Sequence, residues 1–330
     1  PTACSRLITV QDQTAEKPGL LARLLAGQTA ALARAISIVE RDGPTVSALL
    51  KAIQPHLGRA IVVGFTGPPG AGKSTLVNAF IGEMRGRGRT VAVAAVDPSS
   101  PITGGAVLGD RIRMAEHTMD AGVFIRSLAS RGHLGGLSAS AARVADLMDA
   151  AGFDVIVLET VGAGQSEVEM AEMADVRIVI SAPGLGDDVQ AIKAGILEIA
   201  DILVVNKSDL PLAKRTVGQL QAMLALRAPG DWKVPVLATN AVDRTGLCEL
   251  ADAVDHRAAT RKMKGPRDAL GGRTRRLLAQ SVAKYAEHRV LNDTCATIDA
   301  VVSDLQQAGI GLDDAITKVL MRLCESQDNG

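Results

Sequence analysis

The chain has 330 residues, 47% of them hydrophobic and 22% charged, and its formal net charge is zero. This length suits one large or two modest domains with a substantial buried core. The neutral balance argues against a broad surface for nucleic acid or acidic lipid. No apolar run has the length of a membrane span and the first residues, PTACSRL, do not resemble a signal peptide, so we expect a cytoplasmic protein that does not contact a membrane.

Most of the segment before position 59 is predicted to be helical, after a polar and loosely ordered stretch at residues 1–15. Apolar residues recur at helical spacing between Gly19 and Gln54, and proline and glycine divide this stretch into about three helices. The segment could form an independent subdomain or pack on the sheet that follows. We assign residues 1–58 as an N-terminal helical extension.

Strands and helices alternate from Ala60 onward, which predicts an α/β domain over residues 59–264 with a doubly wound, mainly parallel sheet. In such a domain, ligands bind at the carboxyl ends of the strands. The predicted strands are Ile61–Phe65, Thr90–Val96, Val123–Ser127, Val155–Glu159, Val176–Ser181, Ile202–Asn206 and Val234–Ala238. The predicted helices are Lys73–Arg87, Ser138–Ala151, Asp188–Ala200 and Leu212–Arg227.

After Gly265-Pro266 the pattern becomes wholly helical, with stretches at about 268–290, 293–308 and 313–326. Each carries a wide apolar stripe, which needs to be covered. The segment could fold back on the preceding domain or pair with a second copy. We favour the second, and assign residues 265–330 as a C-terminal helical arm that forms a homodimer.

Residues 67–75 read GPPGAGKST and lie between a predicted strand and a predicted helix. This is the phosphate-loop pattern G-x-x-x-x-G-K-S in its expected context. The glycines allow backbone N–H groups to surround an anion at the positive end of the following helix. Lys73 would contact the β- and γ-phosphates, and the Ser74 hydroxyl would bind Mg²⁺.

A second motif, N-K-S-D at residues 206–209, follows a later strand and indicates guanine as the base. The carboxylate of Asp209 would accept hydrogen bonds from the guanine N1–H and amino group, which adenine cannot donate. Asn206 would tie loops together, and the stem of Lys207 would lie along the base. Backbone N–H groups in the segment from Thr239 to Val242 could contact the guanine oxygen.

Three carboxylates are candidates for the metal side of this site. Glu159 ends a strand and is followed by Gly162, in the place where most GTPases have D-x-x-G. Asp97 ends the second predicted strand, and Asp110 lies in the long glycine-rich loop after it. A carboxylate at these places can hold Mg²⁺, or a water bound to it, and Gly162 can sense the γ-phosphate.

The residue after Gly162 is Ala163, where Ras-like proteins carry the glutamine that orients the attacking water. Gln165 is nearby but out of register. We therefore expect GTP hydrolysis to be slow unless a partner completes the site.

Taken together, these motifs resemble the MeaB/ArgK family of P-loop GTPases, in the SIMIBI class. The matching stretches are GPPGAGKST (67–75), AAVDPSS (94–100), GDRIRM (109–114), SLASRGHLGGLS (127–138), ETVGAGQSE (159–167), APGLGDDVQAIKAGILEIAD (182–201) and NKSD (206–209). The resemblance implies a homodimeric GTPase that gates adenosylcobalamin loading of an acyl-CoA mutase, usually methylmalonyl-CoA mutase, and protects that enzyme.

Two other functions fit the same fold. A nickel-insertion GTPase would need a tract rich in His or Cys, and the chain has five His and four scattered Cys. A small-molecule kinase would need its own substrate pocket and base. A scaffold that only binds nucleotide is a weaker alternative.

The predicted ligands are GTP or GDP and Mg²⁺. The predicted catalytic residues are Lys73, Asp97, Asp110 and Glu159, and the predicted metal ligands are Ser74, Asp97, Asp110 and Glu159. The predicted nucleotide-binding residues are Gly67, Pro68, Pro69, Gly70, Ala71, Gly72, Lys73, Ser74, Thr75, Gly162, Asn206, Lys207, Asp209, Thr239, Asn240, Ala241 and Val242.

Overall fold

The computed structural model describes residues 19–41, 45–97, 115–117, 119–129, 136–160, 173–184, 198–227, 231–263, 278–279, 282–283, 286–287, 289–292, 296–307 and 309–325. The strands are β1 (Ile61–Thr66), β2 (Val91–Asp97), β3 (Val123–Ala129), β4 (Val155–Thr160), β5 (Val176–Ser181), β6 (Ile202–Val205) and β7 (Val236–Ala238). The helices are α1 (Leu20–Leu25), α2 (Thr29–Arg41), α3 (Thr45–Ile53), α4 (Lys73–Gly86), α5 (Gly136–Ala150), α6 (Ala213–Ala225), α7 (Leu247–Met263), α8 (Ala296–Gln306) and α9 (Leu312–Glu325). Two short 3₁₀ turns span Gln54–His56 and Ala115–His117. Among the residues described, no helix is both long enough and apolar enough to cross a bilayer.

The strands form one sheet in the order β3-β2-β4-β1-β5-β6-β7, and every neighbouring pair is parallel. This confirms the predicted doubly wound α/β fold. Strand β1 lies between β4 and β5, so the chain crosses to opposite sides of β1 at the centre of the sheet. Ligands of such sheets bind where the strand order reverses, at the carboxyl end of the central strand. The phosphate loop begins at that point.

Helices cover both faces of the sheet. On one face α5 and the N-terminal helices α1 to α3 share a continuous apolar layer with β1, β2 and β4. On the other face α4 and α7 form a second layer. A smaller apolar cluster lies beneath α6 at the β6–β7 end. The N-terminal helices therefore pack on the parallel sheet and do not form a separate core.

A single buried carboxylate holds the entry into β1. Asp149, near the end of α5, accepts backbone hydrogen bonds from Gly58 (2.6 Å), Arg59 (3.2 Å) and Ala60 (2.9 Å). These donors lack strand partners because they precede the first paired residue, and a buried N–H without an acceptor is costly. The join between the N-terminal helices and the sheet is thus anchored to α5.

Helix α7 was not among the predicted helices. Its buried positions are spaced as a helix requires, and they are Leu247, Leu250, Ala251, Val254 and Ala258. Two of these five are alanines, and charged residues surround them, so the apolar stripe is weak in sequence. The helix is stabilised mainly by its packing against α4, which the sequence pattern does not show. The predicted helix Asp188–Ala200 lies mostly outside the described residues.

Three aspartates tie the amino ends of neighbouring strands together. Each carboxylate accepts a hydrogen bond from a backbone N–H. The pairs are Asp154 with Thr90 (2.8 Å), Asp175 with Val62 (2.9 Å) and Asp201 with Arg177 (3.0 Å). Each carboxylate precedes its own strand and bonds to the residue that begins, or lies near the start of, an adjacent one. These bonds help to set the register of the sheet.

Asp201 also contacts three arginine side chains. Its buried carboxylate accepts hydrogen bonds from Arg177 Nε (2.8 Å) and Arg257 Nε (2.8 Å), and Arg261 lies 3.5 Å away. Burial by itself raises the pKa of Asp201, but the hydrogen bond from Arg177 and the charges of the three guanidinium groups outweigh it and lower the pKa. The cluster joins the ends of β5, β6 and α7.

We expect Asp201→Asn to destabilise the protein by about 3–5 kcal/mol, because three guanidinium groups lose their buried counter-charge. Since the pKa of Asp201 is lowered in the folded state, the stability it contributes is present above its unfolded pKa of about 3.9 and is lost as pH falls below that value. The difference between wild type and variant should therefore narrow between about pH 5 and pH 3. Urea unfolding at several pH values measures this.

Asp252→Asn is the matched control. Asp252 accepts a hydrogen bond from Arg87 at 2.7 Å, but its side chain is 66% exposed. Removing an exposed partner of this kind should change the unfolding free energy by no more than about 1 kcal/mol. Equal effects of the two substitutions would contradict a special role for the buried cluster.

Candidate nucleotide-binding site

The phosphate loop occupies the turn between β1 and α4. Gly70 and Gly72 have φ angles of 81° and 83°, in the left-handed region that favours glycine. The 14-residue helix α4 begins immediately afterwards at Lys73. The amino end of this helix presents unpaired backbone N–H groups and the positive end of its dipole, which favours an anion at the loop.

Glycine is also required here by close packing. A Cβ atom at Gly67 would collide with the backbone carbonyl of Ile180 at the end of β5. A Cβ atom at Gly72 would lie 2.6 Å from the side-chain nitrogen of Asn206. The phosphate loop therefore lies directly against β5 and against the loop after β6. The part played by Ile180 was not predicted, and no sequence signal could show it because the contact is made by backbone.

Lys73 is buried within the loop that precedes it. Its Nζ donates to the backbone oxygens of Gly67 (2.7 Å) and Pro68 (3.2 Å). The ammonium group is thus held beside the carbonyl groups of the loop at the amino end of α4. From there it can neutralise phosphate charge without a long rearrangement.

Asn206 connects the phosphate loop to the two segments around the predicted base site. Its Nδ2 donates to the carbonyl of Ala71 at 3.0 Å. Its Oδ1 accepts from the hydroxyl of Thr239 and from the backbone N–H of Ala241, both at 3.3 Å. Lys207 adds a second link through Nζ to the carbonyl of Gly70 at 2.8 Å.

The predicted base-reading residues lie at the carboxyl ends of β6 and β7. Asp209 is exposed and follows Lys207, whose φ of 56° turns the chain sharply. After β7, Asn240 and Thr245 form an isolated antiparallel bridge, and Asn240 Oδ1 accepts the N–H of Val242 at 3.0 Å. Two short, hydrogen-bonded turns therefore flank the place where a base would lie.

Glu159 is the predicted metal-side residue that the structure describes best. It is 3% exposed and pairs with Phe65 of β1 on one side and Ala95 of β2 on the other. Ser74 lies half-buried in the first turn of α4. Asp97 ends β2, while its side chain, Asp110 and Gly162 lie outside the described residues. Within the described part of the chain, no group of three or more His, Cys, Asp or Glu could hold a metal by itself.

We expect Gly72→Ala to reduce GDP affinity at least about tenfold, because the new methyl group would displace Asn206 from the loop. Gly88→Ala is a close control. Gly88 also has a positive φ, of 78°, but a Cβ atom there would meet nothing within 4 Å. Both variants should lose roughly 1 kcal/mol of stability from backbone strain, and only Gly72→Ala should lose affinity. Fluorescence titration with a labelled GDP measures the difference, and equal affinities would contradict the role of the Asn206 contact.

Comparison with known proteins agrees with this geometry. Residues 32–299 match the family model described as methylmalonyl Co-A mutase-associated GTPase MeaB. The GTPase ArgK of Escherichia coli is 39% identical over 292 residues, covering 84% of this chain and 86% of its own. A protein of Pyrococcus abyssi named as a GTPase is 48% identical over 243 residues, covering 72% of this chain and 75% of its own.

Two further matches extend the comparison. A Caenorhabditis elegans protein named methylmalonic aciduria type A homolog, mitochondrial, is 35% identical over 267 residues, which cover 75% of this chain and 66% of its own. A crystal structure of a LAO/AO transport system kinase superposes with a TM-score of 0.70 at 28% identity, over 92% of this chain and 96% of the other. With the parallel sheet, the phosphate loop and these relatives in agreement, the chain belongs to the MeaB family of P-loop GTPases.

Proposed function

We propose that this GTPase is a nucleotide-dependent chaperone of an adenosylcobalamin-dependent acyl-CoA mutase, methylmalonyl-CoA mutase. In this role it gates the loading of adenosylcobalamin and protects the mutase from inactivation. The observation that carries the proposal is the family match over residues 32–299, since that family is described by its association with methylmalonyl Co-A mutase. The name of the C. elegans relative refers to methylmalonic aciduria, which supports methylmalonyl-CoA mutase as the partner in this proposal.

The nucleotide in this proposal is GTP, held at both ends by the loops that Asn206 joins. Asp209 reads the guanine N1–H and amino group, and backbone N–H groups after Thr239 contact the guanine oxygen. Lys73 neutralises charge on the β- and γ-phosphates, and this matters most as the γ-phosphoryl group transfers to water. The bonds from Asn206 and Lys207 to the phosphate loop make the shape of one subsite depend on the other.

The residues present fit a Mg²⁺ ion. Magnesium prefers oxygen ligands, and the fold brings the Ser74 hydroxyl and the buried Glu159 carboxylate to the phosphate-loop end of the sheet. Asp97 and Asp110 complete the proposed set. When bound, the ion supplies positive charge to the phosphate oxygens.

Basal hydrolysis is slow in this proposal, because Ala163 stands where Ras-like proteins carry their water-orienting glutamine. Slow turnover suits a protein whose bound nucleotide reports a state to a partner. Completion of the site by the mutase would then couple hydrolysis to a step in cofactor loading.

The C-terminal arm is proposed to form a homodimer. Helices α8 and α9 pack on each other and bury Ile298, Val301 and Ala315. Other apolar positions on the same two helices stay exposed: Val302 at 43%, Ile316 at 49% and Leu320 at 49%. A two-helix unit that buries one apolar edge and exposes another needs a further surface, and a second copy provides one.

Ile316→Glu combined with Leu320→Glu should raise the dimer dissociation constant by at least about a hundredfold, because each charge would be buried without a partner. Gln306→Glu, at an exposed polar position of α8, should leave it unchanged. Sedimentation equilibrium gives the constants, and circular dichroism checks that the variants remain helical. A monomeric wild type, or a double variant that dimerises normally, would contradict the proposal.

The proposed function is tested by capture of purified adenosylcobalamin-dependent methylmalonyl-CoA mutase on the immobilised chain. Retention should depend on a non-hydrolysable GTP analogue.

Asp209→Asn should transfer that dependence to the matching xanthosine analogue, because the Asn amide donates where Asp accepts. The change in nucleotide preference should be on the order of a hundredfold or more. Mutase binding that ignores the nucleotide, or no binding at all, would contradict the chaperone role. A variant that still prefers GTP would contradict guanine reading by Asp209.

A further inference from the structure

Ser127, on the edge strand β3, has a buried hydroxyl group that makes no hydrogen bond with any of the residues that the structure describes. Buried hydroxyl groups in native proteins nearly always have a partner, and one without a partner calls for an explanation such as a water or an ion. The residue was not among the predicted site residues. Its position in the sheet indicates what the partner is.

The side chains of β3 alternate between the two faces of the sheet. Phe124 and Leu128 pack in the layer of α5, whereas Val123 and Ile125 pack in the layer of α4. Ser127 continues the second set. It therefore lies on the face that carries the phosphate-loop helix.

The register places Ser127 in one row with the metal side of the site. Ser127 pairs with Ala95 of β2, and Ala95 pairs on its other side with Glu159 of β4. Glu159 follows Val155 and Val157 on the α4 face, so both polar side chains are on the same side of the sheet. At the usual strand spacing their Cα atoms are about 10 Å apart. Ala95 lies between them in this row.

We propose that Ser127 is a positioning residue for the metal side of this GTPase. Its hydroxyl hydrogen-bonds to a water in the hydration shell of the Mg²⁺ ion that Glu159 helps to hold, and this inference rests on the proposed metal site. Mg²⁺ usually keeps several of its waters when bound to protein, and those waters donate hydrogen bonds to acceptors around them. A serine two strands away from Glu159, in the same row, can supply an acceptor without contacting the ion.

Thr66 provides a matched comparison within the same chain. Its hydroxyl is also buried and makes no hydrogen bond with another described residue, and it also lies at the carboxyl edge of the sheet. It continues the alternation of Val62, however, and so belongs to the opposite face, in the layer of α5. Removing the Thr66 hydroxyl is therefore a control. It shows what the loss of a buried hydroxyl does on the face of the sheet away from the proposed metal site.

The test uses the full chain and two measurements, the Mg²⁺ dependence of labelled-GDP binding and the thermal unfolding midpoint without metal or nucleotide. Ser127→Ala should raise the half-saturating Mg²⁺ concentration on the order of tenfold. Its unfolding midpoint should be unchanged or higher, because the removed hydroxyl has no hydrogen-bond partner among the described residues. Ser127→Thr keeps the hydroxyl and should restore the wild-type Mg²⁺ dependence. Thr66→Val should leave that dependence unchanged.

A structural role for Ser127 predicts the reverse pattern, a lower unfolding midpoint and an unaltered Mg²⁺ dependence, and that result would overturn the proposal. Equal shifts of the Mg²⁺ dependence in Ser127→Ala and Thr66→Val would also overturn it. Glu159→Gln, measured in parallel, separates the two levels of inference. If Glu159→Gln weakens Mg²⁺ binding and Ser127→Ala does not, only the role of Ser127 fails. If wild type itself shows no Mg²⁺ dependence, the proposed metal site fails.

Discussion

The buried side chain of Asn206 is the contact on which the candidate site depends. Its amide donates to a carbonyl of the phosphate loop and accepts from the segment after β7, so one group satisfies both sides. Aspartate cannot donate, and an apolar residue can do neither. The absence of a Cβ atom at Gly72 is what lets this amide approach. The phosphate loop and the two segments predicted to bind the base are therefore held in a common arrangement by contacts within the protein.

The register of the sheet is the second constraint. Side chains alternate between faces, so a slip of one residue in β4 would move Glu159 from the α4 face to the opposite layer. Asp154, Asp175 and Asp201 bond across the amino ends of the strands and resist such a slip. The carboxyl ends then bring Glu159 into one row with Phe65 and Ala95. The hydrogen bonds of these aspartates at the amino edge of the sheet thus help to fix the position of Glu159 at the carboxyl edge.

Most of the fold could be predicted because buried parallel strands are nearly continuous runs of Val and Ile. All seven predicted strands are present, with ends that differ by at most two residues. Helix α7 was missed because alanines supply part of its buried face and carry little apolar signal. The packing of α1 to α3 with α5 was left open, since helical periodicity shows that a face is buried but not which surface buries it.

The sequence by itself indicated which ligand to expect and which family the chain belongs to. The glycine and lysine pattern of residues 67–75 indicates phosphate, N-K-S-D at 206–209 indicates guanine, and the set of motifs indicates the family, because each needs particular residue types at short, fixed spacing. The tertiary structure decided the relations between distant segments. It shows Gly67 against the carbonyl of Ile180, Asn206 between two loops, and Ser127 in the row of Glu159. Such relations depend on strand order and register, which are properties of the packed sheet and are not written in any local stretch of the chain.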